Sequence, residues 1–192
     1  MHCIEAILTR RSIRRYRSEP LSDDVLTRIL EAGLFAPSAV NLQPWYLVVV
    51  RSREQMKRLL QVMEQTAAGV EFSLRERFRR APQVAEEALG FIRCLGGAPV
   101  CVLAFQHKPE YPKQETSIVQ SVAAAIENML LAAWSLGVGS CWLTAPLEAG
   151  VSEQLCQVFA PGHGKLVAMV TLGYPEGVQT APKRKDARWT IL

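Results

Sequence analysis

Apolar positions along the chain follow two different spacings. Four short runs are almost continuously apolar and rich in β-branched residues, which favours strands buried in a sheet. They are residues 46–51, 98–105, 139–144 and 165–173. Stretches with apolar residues at helical spacing flank these runs, and they are residues 22–33, 52–63, 118–136 and 148–159. Because helices separate the strands, we predict an α+β fold in which helices cover both faces of a small mixed or antiparallel sheet.

Single residues refine the predicted helix ends. Ser22 is expected to be an N-cap, and Ser52 is expected to begin a helix through a capping box. Gly33 and Gly137 are expected to stop the helices that precede them. A short helix at residues 4–8 is expected to run into a basic turn.

Three segments carry expectations about their surroundings. The run 46–51 is expected to be a central strand, because its residues are apolar on both sides. The helix over 118–136 is apolar on nearly all sides, which is typical of a helix in a core or a subunit interface. Residues 69–94 are charged and only loosely helical in pattern, so their structure is left open.

Length and composition predict a single domain over residues 1–192, since 49% of the residues are hydrophobic and 21% are charged. No apolar run approaches the roughly 20 residues that span a bilayer, and the N-terminus turns polar too early for a secretory signal. The five cysteines form no C-x-x-C pair and are expected to be reduced. We therefore predict a soluble cytoplasmic protein with no membrane partner, and no clustered Cys/His spacing predicts a metal.

Basic residues form three clusters in a chain whose net charge is +4. The clusters lie in residues 10–17, 75–80 and 183–188. Such clusters indicate anionic ligands. A nucleic-acid binder would usually be more basic overall and would interleave aromatic with basic residues on one face. A nucleic-acid module would also have to explain three distant basic segments, so no nucleic-acid partner is predicted.

Motifs of several common chemistries are absent: G-x-G-x-x-G, the P-loop, H-E-x-x-H and G-x-S-x-G. Fixed hydrogen-bond donors without an evident nucleophile remain, which is the pattern expected when a bound cofactor carries the chemistry. Arg10, Ser12 and Arg14 alternate along a predicted turn, so they can project to one side and surround one anion. These residues alone are equally consistent with a solvated basic helix end.

A second candidate stretch, residues 36–45 (APSAVNLQPW), connects a predicted helix to a predicted strand. Ser38, Asn41 and Gln43 carry groups that both donate and accept hydrogen bonds, which suits the edge of a heterocycle better than a phosphate. The same residue types also favour ordinary turns. Taken alone, this stretch therefore leaves both interpretations open.

Several segments, in their order along the chain, resemble the nitroreductase family, which are FMN-dependent NAD(P)H oxidoreductases. They are RRSIR at 10–14, APSAVNLQPW at 36–45, AAIENMLLAA at 124–133, LGVGSCWL at 136–143 and the basic tail at 179–192. The resemblance extends from about residue 4 to about residue 188 and is weakest between residues 69 and 95. It implies an intertwined homodimer with two FMN sites at the subunit interface, each formed by both chains. It also implies that FMN carries the chemistry, with no catalytic side chain.

The resemblance assigns the first set of residues to the FMN phosphate, its ribityl chain and the nearby ring. These residues are Arg10, Ser12 and Arg14, with Arg11 close to the isoalloxazine. A second set, contributed by the partner subunit, would line the flavin: Pro37, Ser38, Ala39, Asn41 and Gln43. A third set would pass along the ring near N5: Trp142, Leu143 and Thr144. The tail would return to the phosphate with one or more of Lys183, Arg184 and Lys185.

Hydride would pass from NAD(P)H through flavin N5 to a nitroaromatic, a quinone or a similar small oxidised substrate, in ping-pong order. Alternatives are a non-catalytic FMN-binding protein that stores or senses flavin, and a specialised family member such as an enone reductase or a flavin-dependent dehydrogenase. Substrate choice is expected to depend on residues 69–111. The basic residues at 75–80 could bind the extra phosphate of NADPH, although a solvated helix face is the favoured interpretation.

Overall fold

Four antiparallel strands form one sheet, in the order β1-β2-β4-β3. They are β1 (Trp45–Val50), β2 (Val100–Gln106), β3 (Gly139–Leu143) and β4 (Leu166–Gly173). The structure is a computed structural model that describes residues 2–107, 115–177, 180–181, 184–186 and 188–191. Each observed strand overlaps a run that the apolar pattern predicted, so the four strand predictions are confirmed.

Seven helices accompany the sheet within the described residues. They are α1 (Cys3–Thr9), α2 (Asp23–Leu34), α3 (Arg53–Arg77), α4 (Pro82–Cys94), α5 (Glu115–Ser135), α6 (Ala145–Glu148) and α7 (Ser152–Phe159). Two short 3₁₀ turns lie at Ala39–Asn41 and Leu95–Gly97. The α+β class is therefore confirmed, and the sheet is antiparallel throughout the described strands.

Side chains of β2 alternate between two hydrophobic cores, as the two-residue period of a strand requires. Cys101, Leu103 and Phe105 pack with α3, α4 and α7. Val100 and Val102 belong to the opposite core, which is built with α2 and α5. The sheet is therefore covered by helices on both faces, as the sequence predicted.

Both predicted serine caps are present. The Ser22 hydroxyl accepts the Val25 N–H at 3.3 Å, and the Ser52 hydroxyl accepts the Gln55 N–H at 3.2 Å. The prediction that Gly33 stops α2 is wrong, because the helix continues to Leu34. A Cβ at Gly33 would lie 2.8 Å from Cγ of Met129, so this glycine allows close packing of α2 against α5.

The prediction that β1 is central in the sheet is also wrong. Among the described strands, β1 pairs only with β2 and forms one edge of the sheet. Its middle residues are half-buried, whereas β2 and β4 are buried almost throughout. An apolar run reports that both faces of a strand are covered, but it carries no information about whether both edges are paired.

Two helical regions differ from the sequence pattern. Residues 69–94, which the sequence left open, continue α3 as far as Arg77 and then form α4. The helix predicted over 148–159 is instead divided into α6 and α7, with Gly150 between them at φ 73°. A positive φ is incompatible with a continuous right-handed helix, so the chain turns at this glycine.

α5 packs against α2 and the sheet, and eight of its residues are buried. By length and composition, it is the one helix of the described residues that could cross a membrane. The expectation that no apolar segment approaches that length is therefore wrong by this criterion. The buried positions, which include Ile126 and Met129, lie in the core with α2, and this placement is typical of a core helix.

Candidate functional site

After α1, residues 10–17 form an extended basic segment that lies against one end of the sheet. The Ile13 N–H donates to the Ser140 carbonyl of β3 at 2.8 Å. The Tyr16 N–H donates to the Gly96 carbonyl at 3.0 Å, which links the segment to the turn after α4. Ile13 and Tyr16 are buried, while Arg14 and Arg15 are exposed. The backbone is therefore fixed by its neighbours, and the charged side chains remain accessible.

The Tyr16 side chain anchors this basic segment in the core. Its hydroxyl donates to the Ile13 carbonyl at 2.6 Å and lies 2.7 Å from the Thr171 hydroxyl of β4. Burial raises the pKa of Tyr16 far above its usual value. The phenol therefore stays neutral, and its two hydrogen bonds satisfy a polar group that would be unfavourable if left unpaired.

Two glycines allow the basic segment to approach the sheet closely. At Gly139, a Cβ would lie 2.7 Å from Cγ1 of Ile13. At Gly96, a Cβ would collide with the Arg14 carbonyl oxygen, and φ of Gly96 is 64°. Both positions therefore require glycine, one for space and the other for space and backbone conformation.

Ser12 forms an isolated parallel β-bridge with Ser140, next to the buried Cys141 of β3. Burial raises the pKa of Cys141, and three opposing effects lower it: the charge of Arg14, hydrogen bonding by the Ser12 hydroxyl and the charge of Arg10. The side chains of Arg10 and Arg14 nevertheless contact different helices, α5 for Arg10 and α4 for Arg14.

Three arginines of the basic segment have different side-chain contacts. Arg10 forms an ion pair with Glu127 of α5, with 3.7 Å between Nε and Oε1. The Arg14 guanidinium lies over the Phe91 ring of α4, 5.9 Å from its centroid. Arg11 instead donates from Nη1 to the carbonyls of Leu8 and Arg10 at 3.0 and 2.7 Å. Arg11 is therefore turned back onto its own segment.

The second candidate stretch forms a loop with unusual backbone angles. Val40, Asn41 and Gln43 have φ values of 48°, 55° and 48°. This left-handed region costs residues such as Val40 and Gln43 about 1–2 kcal/mol each and asparagine less, and it is rare for a β-branched residue such as Val40. Strain of this kind is concentrated at functional sites, where the surrounding structure maintains it.

Hydrogen bonds within this loop hold the strained conformation. The Ser38 hydroxyl accepts the Gln43 N–H at 3.0 Å, and the Gln43 side-chain amide donates to Oδ1 of Asn41 at 3.1 Å. Asn41 and Gln43 remain exposed, as does Pro37, while Ser38 and Ala39 are half-buried. The carboxamides are therefore ordered at the surface and accessible to a ligand.

α5 contacts both candidate segments. Its Ser121 hydroxyl accepts the Ala39 N–H of the loop at 3.2 Å. Its Trp134 indole donates to the Thr9 hydroxyl, beside the basic turn, at 2.9 Å. Ser121 and Trp134 are thirteen residues apart. At the rise of an α-helix this corresponds to about 20 Å, whereas Glu127, which pairs with Arg10, lies six residues from Ser121, or about 9 Å along the helix.

The three residues predicted near the flavin ring differ in exposure. Trp142 is half-buried on the side of α2 and α5, and Thr144 is exposed at the end of β3. Leu143 is 5% exposed and belongs to the opposite core. Its side chain is therefore committed to packing, and only its backbone is available to a ligand.

The structure places two of the three predicted tail residues. Arg184 and Lys185 line a cavity of about 440 Å³ together with Asp186 and Arg188. Within the described residues, no hydrogen bond or ion pair joins either of them to the basic turn of the same chain. Lys183 lies outside the described residues.

Comparison with known proteins identifies the family. The model of the nitroreductase family matches residues 7–174. This chain belongs to the nitroreductase family. It is 34% identical over 177 residues to a protein of Archaeoglobus fulgidus that carries the provisional name NADH dehydrogenase/NAD(P)H nitroreductase, covering 91% of this chain and 86% of the relative. It is 32% identical over 181 residues to the NADH dehydrogenase of Thermus thermophilus, covering 88% of this chain and 85% of that one.

A solved nitroreductase has a similar fold. The nitroreductase of Bacteroides fragilis, solved with bound FMN, superposes with a TM-score of 0.75 at 27% identity. The match covers 100% of this chain and 99% of that chain. The nitroreductase family, which the resemblance of the motifs predicted, is therefore confirmed together with its fold.

Sequence reasoning missed several residues that shape this nitroreductase site. Gly96, Gly139 and Tyr16 position the basic segment, and Ser121 and Glu127 of α5 contact the two candidate segments. The polar residues within the apolar helix were a usable signal, because Glu127 interrupts an otherwise apolar surface. The role of Gly96 had no local signal, since the close approach joins segments far apart in sequence.

Proposed function

We propose that this chain is an FMN-dependent oxidoreductase that uses NAD(P)H to reduce nitroaromatics, quinones or similar small oxidised compounds in ping-pong order. The proposal rests on membership of the nitroreductase family over residues 7–174, together with the fixed basic segment that carries Arg10, Ser12 and Arg14. Two guanidinium groups and a hydroxyl suit a phosphate, because charge-assisted hydrogen bonds to an anion are about twice as strong as neutral ones. FMN binding in the Bacteroides fragilis relative supports the same cofactor.

The donor set of the chain fits FMN at both of its ends. Arg10, Ser12 and Arg14 would hold the phosphate and the ribityl chain, with Arg184 or Lys185 of the tail as additional cations. Asn41 and Gln43 present ordered, accessible amides that match the alternating donors and acceptors of a heterocycle. The strained loop that carries them, described above, supports a ligand-binding role.

When bound, FMN supplies a site that accepts a hydride from NAD(P)H and passes it on. The residues of the chain orient the ring, neutralise the phosphate and provide positive charge near it. Thr144 is exposed at the end of β3, where its side chain would be accessible to the flavin ring. The Leu143 side chain is buried, so only its backbone would contact the ring. No side chain of the chain is proposed as a catalytic acid, base or nucleophile, and residues 69–95 are proposed to lie on the substrate side.

We infer a homodimer from the exposed apolar surface of the chain. As the family resemblance implies, a loop from a second copy would complete each site. Large apolar side chains are exposed on and near both segments: Ile4, Ile7, Leu8, Leu34, Phe35 and Val40. Burial of such a surface is favourable, and monomers rarely expose it. We propose that residues 1–192 form one domain within this dimer.

A cytoplasmic location is also proposed. All five cysteines are free, and Cys101 and Cys141 are buried within the cores. Free thiols are the usual state in a reducing compartment. Labelling of fractionated cells with an antibody against the protein would test this location.

The proposed function is tested on the purified protein. We expect a yellow protein with an absorbance band at about 450 nm, the region typical of oxidised flavin. Anaerobic addition of NADH or NADPH should bleach this band within seconds, and a nitroaromatic or a quinone should restore it. Steady-state rates measured with both substrates varied should give parallel reciprocal plots, and sedimentation should give the mass of two chains.

Different outcomes separate the alternatives. A yellow protein whose band neither nicotinamide bleaches would support a non-catalytic flavin-binding protein and reject the enzyme. A bleached protein that enones reoxidise but nitroaromatics and quinones do not would identify a specialised member. A colourless protein that takes up no added FMN would reject the proposed function altogether.

A candidate NADPH site at residues 75–80 receives little support. Arg75 forms ion pairs with Glu71 of α3 and Glu86 of α4, at 2.7 Å in the first case. These partners already engage its guanidinium on an exposed helix face, so a second phosphate would have to displace two carboxylates. The interpretation as a solvated helix face is therefore preferred.

A further inference from the structure

Ser121 is a polar residue buried in an apolar part of α5. It is 5% exposed and is followed by Val122, Ala123, Ala124 and Ala125. Alanine has a higher helix propensity than serine, so local structure gives no reason for a hydroxyl at this position. Its explanation must therefore lie in what the hydroxyl contacts.

The Ser121 hydroxyl makes two hydrogen bonds of different kinds. It donates to the Ser117 carbonyl of its own helix at 2.7 Å, a bond that serine commonly forms with the preceding turn. It also accepts the Ala39 N–H of the loop at 3.2 Å. The first bond satisfies the hydroxyl without the loop. The second bond therefore serves the Ala39 amide, which would otherwise need another acceptor.

Ala39 is the residue at which the loop enters its left-handed conformation. It begins the 3₁₀ turn, and Val40 and Asn41 follow with positive φ. Bonds within the loop, such as that from the Gln43 N–H to Ser38, restrain its shape but do not fix it relative to the rest of the chain. The Ser121 bond links the start of this turn to α5.

We propose that Ser121 is a positioning residue that holds the 38–43 loop in the conformation that receives the flavin. It acts through the Ala39 amide and does not touch the cofactor. This inference rests on the proposed FMN-dependent function, because the loop's ligand is assigned there. It predicts that removal of the hydroxyl weakens flavin binding and alters the environment of the bound ring.

The test compares two pairs of variants in the full chain. Ser121→Ala removes the hydroxyl, and Ser117→Ala on the same helix is its control, because Ser117 contributes its carbonyl and not its side chain to the contact. Ser121→Thr and Ser121→Val have nearly the same shape and differ in the hydroxyl. We expect Ser121→Ala and Ser121→Val to bind FMN about five- to tenfold more weakly than their partners, as for the loss of one neutral hydrogen bond.

Two measurements besides affinity distinguish positioning from general destabilisation. At saturating FMN, the visible circular dichroism of the flavin should differ between Ser121→Ala and Ser117→Ala. In the apoprotein, the Ala39 amide should exchange hydrogen faster in Ser121→Ala than in Ser117→Ala, whereas amides of β2 should exchange equally.

The outcomes separate this inference from the proposed function. If wild type binds FMN and Ser121→Ala matches Ser117→Ala in affinity, dichroism and exchange, the positioning role is rejected and the function stands. If wild type binds no FMN, the function fails, and the Ala39 exchange rates alone decide whether Ser121 holds the loop. If the variants do not fold, hydrogen exchange of the Ala39 amide in the wild-type protein decides. Slow exchange supports the positioning role of Ser121, and exchange at the rate of an unstructured peptide overturns it.

Discussion

The Glu127 carboxylate of α5 lies 3.7 Å from the Arg10 guanidinium, so an acidic side chain already engages a cation assigned to the cofactor phosphate. The Arg10 side chain is 22% exposed and that of Glu127 is 47% exposed. Water therefore screens the pair, and its net contribution to stability is expected to be small. The larger effect of Glu127 should be on FMN binding, because the FMN phosphate would compete with the Glu127 carboxylate for Arg10.

Neutralising this carboxylate should strengthen FMN binding. In Glu127→Gln, Arg10 loses a competing anion and the phosphate loses a nearby negative charge, so we expect about two- to fivefold tighter binding at low salt. Titration of the apoprotein by flavin fluorescence at low and high salt measures the effect, which screening should abolish. Glu64→Gln, which removes the exposed partner of Arg93, is the matched control. Weaker, salt-independent binding in Glu127→Gln would show that Glu127 instead orients Arg10.

Removal of Arg14 should sharply reduce flavin retention without loss of the fold. Arg14→Ala removes a charge-assisted hydrogen bond worth about 1.5–3 kcal/mol, so the dissociation constant for FMN should be roughly 10- to 150-fold larger. The ratio of flavin to protein after purification and a fluorescence titration both measure this loss. Arg17→Ala is the matched control, because Arg17 belongs to the same segment and also lies over an aromatic ring, that of Tyr174 at 5.3 Å. An unchanged flavin content in Arg14→Ala would contradict the assigned role.

Much of the fold could be predicted because it depends on local patterns. Hydrophobic spacing locates the four strands, and the serine caps mark the starts of α2 and α3. The edge position of β1 could not be predicted, because pairing partners are set by topology and an apolar run reports only on the faces of a strand. The role of Gly33 could not be predicted either, since its contact with Met129 joins two helices far apart in sequence.

The candidate site, like the fold, could be predicted from the sequence only in part. The alternation in the basic segment predicts that Arg10, Ser12 and Arg14 share one side, whereas the structure pairs Arg10 with α5 and places Arg14 over a ring of α4. The departure of Arg11 from that group depends on carbonyls of the preceding helix end. The positive φ values of Val40 and Gln43 lacked a sequence signal as well, because neither residue type favours that conformation.

Substitution of Gly96 should destabilise the protein through the basic segment. In Gly96→Ala, the new methyl group meets the Arg14 carbonyl and the backbone is held at φ 64°, so we expect a free energy of unfolding lower by about 2–4 kcal/mol. Urea unfolding followed by circular dichroism measures the change.

Two other glycines serve as controls for this substitution. Gly137→Ala introduces the strain of a positive φ without a close neighbour, and should lose only about 1–2 kcal/mol. Gly90→Ala lies in α4 with no atom nearby, and should gain about 0.5–1 kcal/mol. Equal losses in Gly96→Ala and Gly137→Ala would show that contact with the basic segment contributes nothing.

Stability should fall in mildly alkaline solution because of buried thiols. Burial raises the pKa of Cys101 and of Cys141 above the ordinary thiol value. The unfolded chain therefore releases these protons first, at about pH 8.5, while the folded protein still holds them. Above that pH the unfolded state binds fewer protons than the folded state, so the free energy of unfolding decreases as pH rises. Below it, the contribution of both thiols is fully present.

The expected slope is about 1.4 kcal/mol per pH unit for each buried thiol once the unfolded thiols are ionised. Urea unfolding at a series of values from about pH 7 to about pH 10 measures it. Cys101→Ala should remove the contribution of one thiol, so that the free energy of unfolding decreases less steeply with pH. It should also lower stability at every pH by leaving a small cavity. Cys94→Ala, which removes an exposed thiol of α4, is the matched control and should keep the wild-type slope. If Cys101→Ala and Cys94→Ala decline equally, ionisation of the buried Cys101 thiol is not the cause.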